Sequence, residues 1–337
     1  MAEDQGTGKI PAMKIRSRRP TRRNFSALLA AGVLTGAGCK RDSKRIIGVV
    51  PKGRAHLFWQ SVQAGAVAAA REENLEVSWN GPATETDFNG QLQIVEAMIN
   101  RHVDAIALAP IDKKAMVSVV ERAAKAEIPV VIFDSGIDTE QYVSMVATDN
   151  YLAGKMAADR MGEILGGKGD VFMVAVQPGA ASTMAREQGF EEQIKEKYPS
   201  IKIVDKRYGM ADFAKSLAVA ENMMTAYPDA AGLFASNESS AVGAAQALRA
   251  RKSKIKMVGF DWSQPLLDDL KSGLIDSLII QHPFKMGYEA VKAAAAKLNG
   301  KPVEKINQLA PRLITKDDLD KPEVKEQLNP DLKKYLG

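Results

Sequence analysis

The stretch 128–135, with the sequence IPVVIFDS, is an uninterrupted apolar run that a proline enters and a carboxylate ends. Such a run indicates a strand buried on both faces of a parallel sheet. The stretch 256–262, KMVGFDW, repeats the pattern, so that Asp134 and Asp261 each follow a buried strand. One such aspartate alone would be interpreted as a turn or helix cap. The repeat instead predicts two lobes that face one ligand, because ligands of open α/β sheets bind beyond the carboxyl ends of the strands.

Strand and helix patterns alternate around these two runs, which predicts βαβ crossovers and parallel sheets covered on both faces. Gly166 and Gly167 are expected to end one of the helices. The other predicted strands are 46–50, 76–79, 105–109, 142–147, 170–176, 201–205, 231–235, 275–280 and 312–315. Helices are predicted from residues with helical spacing in 58–69, 92–99 and 116–123, and over 151–165, 184–197, 213–226, 239–250 and 284–298.

The fold class expected is therefore α/β, with two Rossmann-like lobes whose parallel sheets are joined by a hinge. The polar segment Thr148-Asp149-Asn150 is the first predicted crossing between lobes, and His282, after Gln281, marks the second. The N-terminal lobe would comprise 45–148 plus 283–309, and the C-terminal lobe 149–282 plus 310–337. The end of the chain is rich in Lys, Asp and Glu and is interpreted as a solvated surface segment.

The positive charge of the chain lies almost entirely in its first 38 residues. The whole sequence has 337 residues, 45% of them hydrophobic, with 46 Lys and Arg against 41 Asp and Glu. Residues 1–38 hold seven of the basic residues and only Glu3 and Asp4 on the acidic side, which leaves 39 of each sign in the remainder. The basicity therefore does not indicate a nucleic-acid partner.

Residues 1–38 have the three parts of an export signal: a basic segment, an apolar segment at 27–34 and small residues before Cys39. The pair Arg22-Arg23 followed by Phe25 resembles the twin-arginine signal, which directs export of folded proteins. Small residues ahead of the only cysteine resemble a lipoprotein processing site, although Gly36 stands where such sites usually have Leu. We expect a periplasmic or otherwise extracytoplasmic protein, anchored through a lipid on Cys39.

The motifs of several enzyme classes are absent from the sequence. It contains no phosphate-binding G-x-x-x-x-G-K-[ST] or G-x-G-x-x-G motif and no G-x-S-x-G nucleophile elbow. One cysteine and three scattered histidines make a transition-metal cluster improbable. We therefore expect a protein without metal or cofactor and without catalytic activity. Carboxylate chemistry on a glycoside stays open as a minor alternative.

Several short motifs, taken in order, resemble the ribose-binding-protein-like periplasmic sugar-binding proteins. The resemblance spans about 45–307, and it implies the type I periplasmic binding fold and a role as extracytoplasmic receptor of an ABC importer. Gene regulators of the lac repressor type share this core, but they carry a helix-turn-helix domain where this chain has the export signal. The motifs are IGVV at 47–50, FW at 58–59, IPVV at 128–131, FD at 133–134, ATDN at 147–150, AREQGF at 185–190, FASN at 234–237 and VGFD at 258–261.

The resemblance also implies a set of ligand-binding positions. A sugar ring has apolar faces and a rim of hydroxyl groups, so aromatic planes with carboxylate, amide and guanidinium groups suit it chemically. Ser135 and Trp262, which follow the two aspartates, complete the expected set. The positions carried over are Phe58, Trp59, Asp134, Arg186, Phe213, Asn237, Asp261 and Gln281.

Each of these residue types also has a purely structural interpretation. Phe58 and Phe213 could be core residues at helix starts, and Arg186 could be a solvated helix arginine. Asn237 could be the N-cap of the helix that follows it. Gln281 could serve the hinge instead of the ligand.

Departures from the ribose receptors leave the particular sugar open. Ser135 replaces an Arg, His56 lies in the loop where the family has Asn, and Ala109 stands where it has an amide. A pentose, a hexose or a sugar derivative all fit. We expect a monomer that captures a small carbohydrate and presents it to a membrane permease of the ABC type. The alternative is a periplasmic sugar sensor that passes the same closure to a signalling partner.

Overall fold

The computed structural model describes residues 44–337. The predicted export signal at 1–38 and the predicted lipidation site Cys39 lie outside the described residues. Within the described part, strands form two six-stranded sheets with the same arrangement. In spatial order the first sheet contains β11 (Ile306–Leu309), β5 (Ser144–Thr148), β4 (Val130–Phe133), β3 (Ala105–Leu108), β1 (Ile46–Val50) and β2 (Glu76–Trp79), all parallel.

The second sheet repeats this order, and its edge strand β12 is the one antiparallel member in the described chain. In each sheet the first strand pairs in parallel with the second strand on one side and the third on the other, as βαβ crossovers require. The predicted fold class, α/β with two parallel sheets, is confirmed. The strands in spatial order are β12 (Arg312–Ile314), β10 (Ser277–Ile280), β9 (Lys256–Phe260), β8 (Gly232–Ala235), β6 (Lys168–Ala175) and β7 (Ser200–Tyr208).

Helices cover both faces of each sheet, which explains why central strands such as β3 and β4 are buried at every position. We call the first sheet with its helices the first lobe and the second sheet with its helices the second lobe. The first lobe has α1 (Leu57–Glu72) and α9 (Pro283–Leu298) on one face and α2 (Phe88–Asn100) and α3 (Val117–Lys125) on the other. The second has α4 (Asn150–Ile164) and α5 (Ala181–Lys197) on one face, and α6 (Phe213–Ala226), α7 (Glu238–Ala250), α8 (Gln264–Ser272) and α10 (Pro322–Leu328) on the other.

Glycines allow the paired helices of each lobe to approach backbone to backbone. A Cβ atom on Gly154 of α4 would lie 2.0 Å from the Arg186 carbonyl oxygen of α5, and one on Gly189 would lie 2.2 Å from the Tyr151 carbonyl oxygen. Any side chain at these positions would force the helices apart. The corresponding glycines of α1 and α9 are Gly65 and Gly287. The contact between α4 and α5 fixes the position of Arg186 relative to the second sheet.

Most residues after Thr315 are exposed or half-buried, as expected of a solvated surface segment. The segment is nevertheless folded, because a 3-10 helix at Lys316–Asp318 and helix α10 follow β12. Val324 and Leu328 of α10 are buried in the core of the second lobe. Their apolar side chains are few and lie among many charges, so the periodicity is too weak to reveal a helix. Helix α8 and strand β11 were not predicted either.

The last helix, α11 (Leu332–Leu336), lies on the first lobe, although 310–337 was assigned to the C-terminal lobe. Arg71 of α1 donates hydrogen bonds to the carbonyl oxygens of Lys334 and Tyr335 at 2.9 and 3.1 Å. The Tyr335 ring also packs against Phe284 of α9. These backbone carbonyls carry no sequence signal, which is why the crossing could not be predicted.

Among the helices of residues 44–337, none has the length and apolar character needed to span a membrane.

Candidate ligand-binding site

A narrow cavity of about 30 Å³ lies between the two lobes, at the carboxyl ends of the strands of both sheets. This volume is far below the range of about 300–1,000 Å³ found for small-molecule sites, so a sugar can enter only when the lobes move apart. Side chains of both lobes line it, so its shape depends on how the lobes meet. The lining residues are Lys52, His56, Phe58, Trp59, Glu85, Asp134, Ser182, Thr183, Arg186, Asn237, Glu238, Asp261 and Gln281.

Most of the predicted ligand-binding residues come together in this cavity. Three of them do not line it: Ser135, Phe213 and Trp262. Ser135 accepts a hydrogen bond from the Ser182 backbone N–H at 3.0 Å, and Phe213 packs edge-on against the His56 ring. The residues that do line it are Phe58, Trp59, Asp134, Arg186, Asn237, Asp261 and Gln281.

Trp262, which was predicted to face the cleft, is half-buried, packs against the core of the second lobe and does not line the cavity. Helix α8 begins two residues later, and Leu266 and Leu270 of that helix belong to the same core. An aromatic residue directly after Asp261 therefore has an apolar surface to cover. Because α8 was not predicted, this surface was not visible in the sequence.

Asp134 is held by a buried lysine that the sequence analysis missed. The Lys52 ammonium lies 2.6 Å from Asp134 Oδ2, and both side chains are almost fully buried. Lys52 also donates a hydrogen bond to Ser182 Oγ of the second lobe at 3.0 Å. At this distance the contact with Lys52 is a charge-assisted ion pair. A carboxylate oxygen has two lone pairs, so Asp134 Oδ2 can still accept a hydrogen bond from a ligand hydroxyl.

Asp261 is held by a glutamine and a backbone amide. Its Oδ1 accepts a hydrogen bond from Gln281 Nε2 at 2.7 Å, and its Oδ2 accepts one from the Glu238 backbone N–H at 3.1 Å. Burial raises the pKa of Asp261, while the Arg186 charge and the Gln281 hydrogen bond act in the opposite direction. These two hydrogen bonds fix the orientation of the carboxyl group. Each of its oxygens keeps a lone pair that can accept a hydrogen bond from a ligand.

Arg186 is buried rather than solvated, which excludes the structural alternative raised for it. Its Nε donates to Asn150 Oδ1 at 2.8 Å and a terminal nitrogen donates to the Ser236 carbonyl oxygen at 3.0 Å. The guanidinium also lies 3.8 Å above the Phe260 ring. Burial lowers the pKa of Arg186, and nearby carboxylates, Asp261 first among them, oppose this. These contacts leave the remaining N–H groups as fixed donors at the cavity.

The predicted hinge residues lie at the crossings and connect to the site by hydrogen bonds. Thr148 Oγ1 donates to Gln281 Oε1 at 2.7 Å, and Asn150 Nδ2 donates to the Thr148 carbonyl oxygen at 2.9 Å. Asp149 caps α4 by accepting from the Leu152 N–H at 2.9 Å. His282 caps α9, and burial lowers its pKa. Gln281 therefore contacts both a crossing strand and Asp261.

His56 and Glu85 form a second buried ion pair, in the first lobe. His56 Nδ1 lies 2.7 Å from Glu85 Oε1, which also accepts a hydrogen bond from Trp59 Nε1 at 2.7 Å. Burial alone lowers the pKa of His56, but the hydrogen bond and charge of Glu85, with the charges of Glu238 and Asp261, raise it from 6.5 to about 9. His56 is thus a cation at neutral pH.

The aromatic pair lies where the core of the first lobe meets the cavity. The Phe58 and Trp59 rings meet edge to face with centroids 4.9 Å apart. Trp59 is buried and belongs to the core of the first lobe, whereas Phe58 is partly exposed. Both line the cavity, and the Glu85 bond fixes the Trp59 ring.

Asn237 is the N-cap of α7, as its structural interpretation states. Its Oδ1 accepts from the Ser240 N–H at 2.9 Å and from Ser239 Oγ at 3.2 Å. The cap and a ligand role are compatible, because the side-chain oxygen is used for the helix and the amide nitrogen remains at the cavity as a donor.

Hydrogen bonds between the lobes show that they are closed on each other. Gln177 Nε2 of the second lobe donates to the Glu85 carbonyl oxygen at 2.8 Å. On the same side, the Lys113 N–H donates to the Gly179 carbonyl oxygen at 3.0 Å. With the contact between Lys52 and Ser182, these bonds enclose the cavity.

Sequence reasoning missed several lining residues. Lys52 could have been found, since it comes two residues after a strand whose tip meets the same edge as that of β4. Glu85 lies in a loop and Thr183 inside a helix, with no local pattern to mark either. No group of three His, Cys, Asp or Glu side chains within 44–337 is arranged to hold a metal ion.

The chain matches the family model described as "Periplasmic binding protein domain" over residues 47–302. It is 31% identical over 248 residues to the ribose import binding protein RbsB of Bacillus subtilis, covering 74% of this chain and 80% of that protein.

Solved structures resemble the whole described fold. One is a carbohydrate transporter solute-binding protein from Agrobacterium radiobacter in complex with D-arabinose, with a TM-score of 0.83 and 34% identity over 85% of this chain and 99% of that one. Another is an ABC transporter solute-binding protein from Agrobacterium vitis bound with α-D-tagatopyranose, with a TM-score of 0.82 and 30% identity over 86% and 100% of the two chains.

Proposed function

This chain belongs to the periplasmic binding protein family, and on that premise we propose that it is an extracytoplasmic solute-binding protein that captures a small carbohydrate and delivers it to an ABC importer. The observation that carries the proposal is the cavity between the lobes, where carboxylate, amide and guanidinium groups of both lobes surround an aromatic pair. This combination matches the apolar faces and hydroxyl rim of a sugar ring.

The charges around the cavity favour a neutral ligand. Three cationic side chains line it and are opposed by three carboxylates and by Glu238, whose pKa burial raises to about 7. A ligand with a net charge would leave one of these buried groups without compensation. The cations are Lys52, His56 and Arg186, and the three carboxylates are Glu85, Asp134 and Asp261.

Delivery would follow from closure. A sugar that contacts Asp134 of the first lobe and Arg186 of the second makes its full set of bonds only when the lobes are closed. Its binding therefore favours the closed state by that difference in interaction free energy. A permease that recognises the closed arrangement would then distinguish loaded from empty protein.

We propose binding without turnover. The relatives are sugar-binding transport proteins, and the two strand-tip carboxylates are already held by Lys52 and Gln281. Recovery of the sugar chemically unchanged after long incubation tests this. The proposal further includes a monomeric state. It also includes export by the twin-arginine route and a lipid anchor on Cys39, which the motifs in residues 1–39 support.

A thermal-shift experiment tests the function directly. D-ribose, D-arabinose and D-tagatose are each added to the purified protein, with D-arabinonate as the charged counterpart of one of them. A ligand at 100 times its dissociation constant adds about 2.7 kcal/mol to the free energy of unfolding. We expect at least one neutral sugar to stabilise the protein and the acid to have no effect. The assignment is rejected if the protein is stabilised neither by these sugars nor by any of a wider set of pentoses, hexoses and sugar derivatives.

A further inference from the structure

Helix α1, which carries both aromatic residues of the site, begins without a cap from its own lobe. Its N-cap residue His56 makes no side-chain capping bond, so the first backbone N–H groups of the helix need another acceptor. That acceptor is Glu238, the first residue of α7 in the second lobe. Its Oε2 accepts from the Phe58 N–H at 3.4 Å, and its carboxylate also faces the Leu57 N–H.

Glu238 is nearly inaccessible in this closed arrangement, with 5% of its surface exposed. His56 faces it from the start of α1, and Asp261 faces it from the end of β9. Opening of the lobes would carry α1 away from α7 and leave both the helix terminus and the carboxyl group to water. The other charged groups that line the same cavity are Lys52, Glu85, Asp134 and Arg186.

We propose that Glu238 is a positioning residue for sugar binding, which caps α1 across the cleft and so holds Phe58 and Trp59 in place when the lobes close. The inference rests on the proposed function. It assigns to one side chain a part in closure that needs no contact with the sugar.

A pH dependence follows from this position. Burial raises the pKa of Glu238 from 4.5 to about 7; the charge of His56 and the bonds from α1 act against this, and Asp261 adds to it. In the open form the Glu238 carboxyl group is solvated and has its ordinary pKa of 4.5. Between pH 4.5 and pH 7, Glu238 therefore binds a proton when the lobes close. Sugar affinity should therefore fall as the pH rises through 7. For one group with these pKa values the change between pH 6 and pH 8 is about tenfold.

His56 acts in the same direction, because the charges of Glu238 and Asp261 in the second lobe contribute to its raised pKa only when the lobes are closed. The contribution of Glu238 is therefore measured by comparing variants. The dissociation constants of D-ribose, D-arabinose and D-tagatose are determined by calorimetry at pH 6 and pH 8 for the wild type, Glu238→Gln, Glu238→Ala and the control Glu187→Gln. Glu187 is a buried carboxyl whose pKa is also raised by burial, but its bonds to Val176 and Ser236 stay within the second lobe.

We expect Glu238→Gln to reduce the ratio of the affinities at pH 6 and pH 8 by about tenfold relative to the wild type. The Gln oxygen still accepts from α1, so Glu238→Ala should bind about tenfold more weakly than Glu238→Gln at pH 6. Glu187→Gln should keep the wild-type ratio.

The outcomes separate this inference from the proposed function. If the wild type binds no sugar, both are overturned. If the wild type binds a sugar but Glu238→Gln keeps its full pH ratio, or Glu238→Ala binds as well as Glu238→Gln at pH 6, the positioning role alone is overturned. Should Glu238→Ala fail to fold, the ratio measured with Glu238→Gln still decides.

Discussion

Asp134 and Asp261 have the same backbone geometry at matching positions of the two sheets. Their φ angles are 62° and 63°, in the left-handed region that non-glycine residues rarely adopt. Each donates its backbone N–H to the next strand of its sheet, to the Val146 carbonyl oxygen at 2.9 Å and the Ile279 carbonyl oxygen at 2.8 Å. The repeated sequence thus corresponds to a repeated turn that directs one carboxylate from each lobe into the cleft.

Replacement of Asp261 should affect both binding and stability. Asp261→Ala leaves two buried donors, Gln281 Nε2 and the Glu238 N–H, without an acceptor, so we expect about 2–4 kcal/mol less stability and at least tenfold weaker sugar binding. Asp261→Asn keeps one acceptor and tolerates the positive φ, and should lose less of both. Denaturant unfolding without sugar and calorimetry with it measure the two effects. Equal losses for Ala and Asn would contradict the hydrogen bonds described.

His56 should make the empty protein less stable at alkaline pH. Burial lowers its pKa, but Glu85 outweighs this and raises the pKa from 6.5 to about 9. The stabilisation is complete below pH 6.5 and is lost as the pH rises through 9. We expect a loss on the order of 2–3 kcal/mol between pH 7 and pH 10. His56→Gln should lack this loss and the exposed His102→Gln should keep it. Equal pH profiles for all three proteins would exclude the ion pair with Glu85.

The contact between Gly154 and the Arg186 carbonyl oxygen should couple helix packing to the site. Gly154→Ala places a Cβ 2.0 Å from that oxygen, so α5 must shift and carry Arg186 with it. We expect about 1–3 kcal/mol lower stability, together with weaker sugar binding. Gly300→Ala is the control, since it has a φ of 68° but no atoms within 4 Å of an added Cβ. It should cost about 1 kcal/mol and leave binding unchanged. Unchanged binding in both variants would mean that Arg186 is not positioned by this contact.

Two variants test the leader. Replacing Arg22 and Arg23 with Lys should keep the precursor in the cytoplasm, because the twin-arginine route reads the paired arginines. Cys39→Ser should release the mature protein from the membrane fraction. Fractionation followed by immunoblotting measures both, with Arg18→Lys as the control for a basic residue outside the pair. Normal export of the double variant would reject the route, and membrane retention of Cys39→Ser would reject the lipid anchor.

The parts of the site that sequence could predict are those written in local patterns. An apolar run that ends in Asp134 or Asp261 predicts both the buried strand and the polar residue at its end. The repetition of that run then places the two residues on facing edges. Lys52 follows the buried strand β1 in the same way, so the same pattern could have predicted it as a site residue.

The parts that could not be predicted depend on contacts between distant segments. Glu238 has its role only because α1 from the other lobe begins beside it. The sequence pattern at this strand end predicted a ligand position at the preceding residue, Asn237, and none at Glu238. The packing of Trp262 depends on α8, and the apolar residues of α8 are too few to predict that helix. The crossing of α11 rests on bonds from Arg71 to backbone carbonyls, which no side-chain pattern encodes.

The ion pair between Lys52 and Asp134 is the most exacting test of the first lobe's half of the site. Both side chains are at least 95% buried. Leaving either charge without its partner therefore costs stability. Lys52→Met and Asp134→Asn should each cost about 3–5 kcal/mol, because each leaves the partner charge buried without compensation. Asn is chosen because it tolerates the left-handed φ of 62° at this position.

The double variant carries neither charge, so its loss of stability should be smaller than the sum of the single losses by about 1–3 kcal/mol. Sugar binding should behave differently from stability. Asp134→Asn weakens binding about tenfold or more because a charge-assisted acceptor is lost, and removing Lys52 as well cannot restore that acceptor. Denaturant unfolding of the four proteins gives the coupling, and calorimetry gives the affinities. Additive stabilities would show that the pair is not formed in solution, and recovery of affinity in the double variant would show that Asp134 serves Lys52 rather than the sugar.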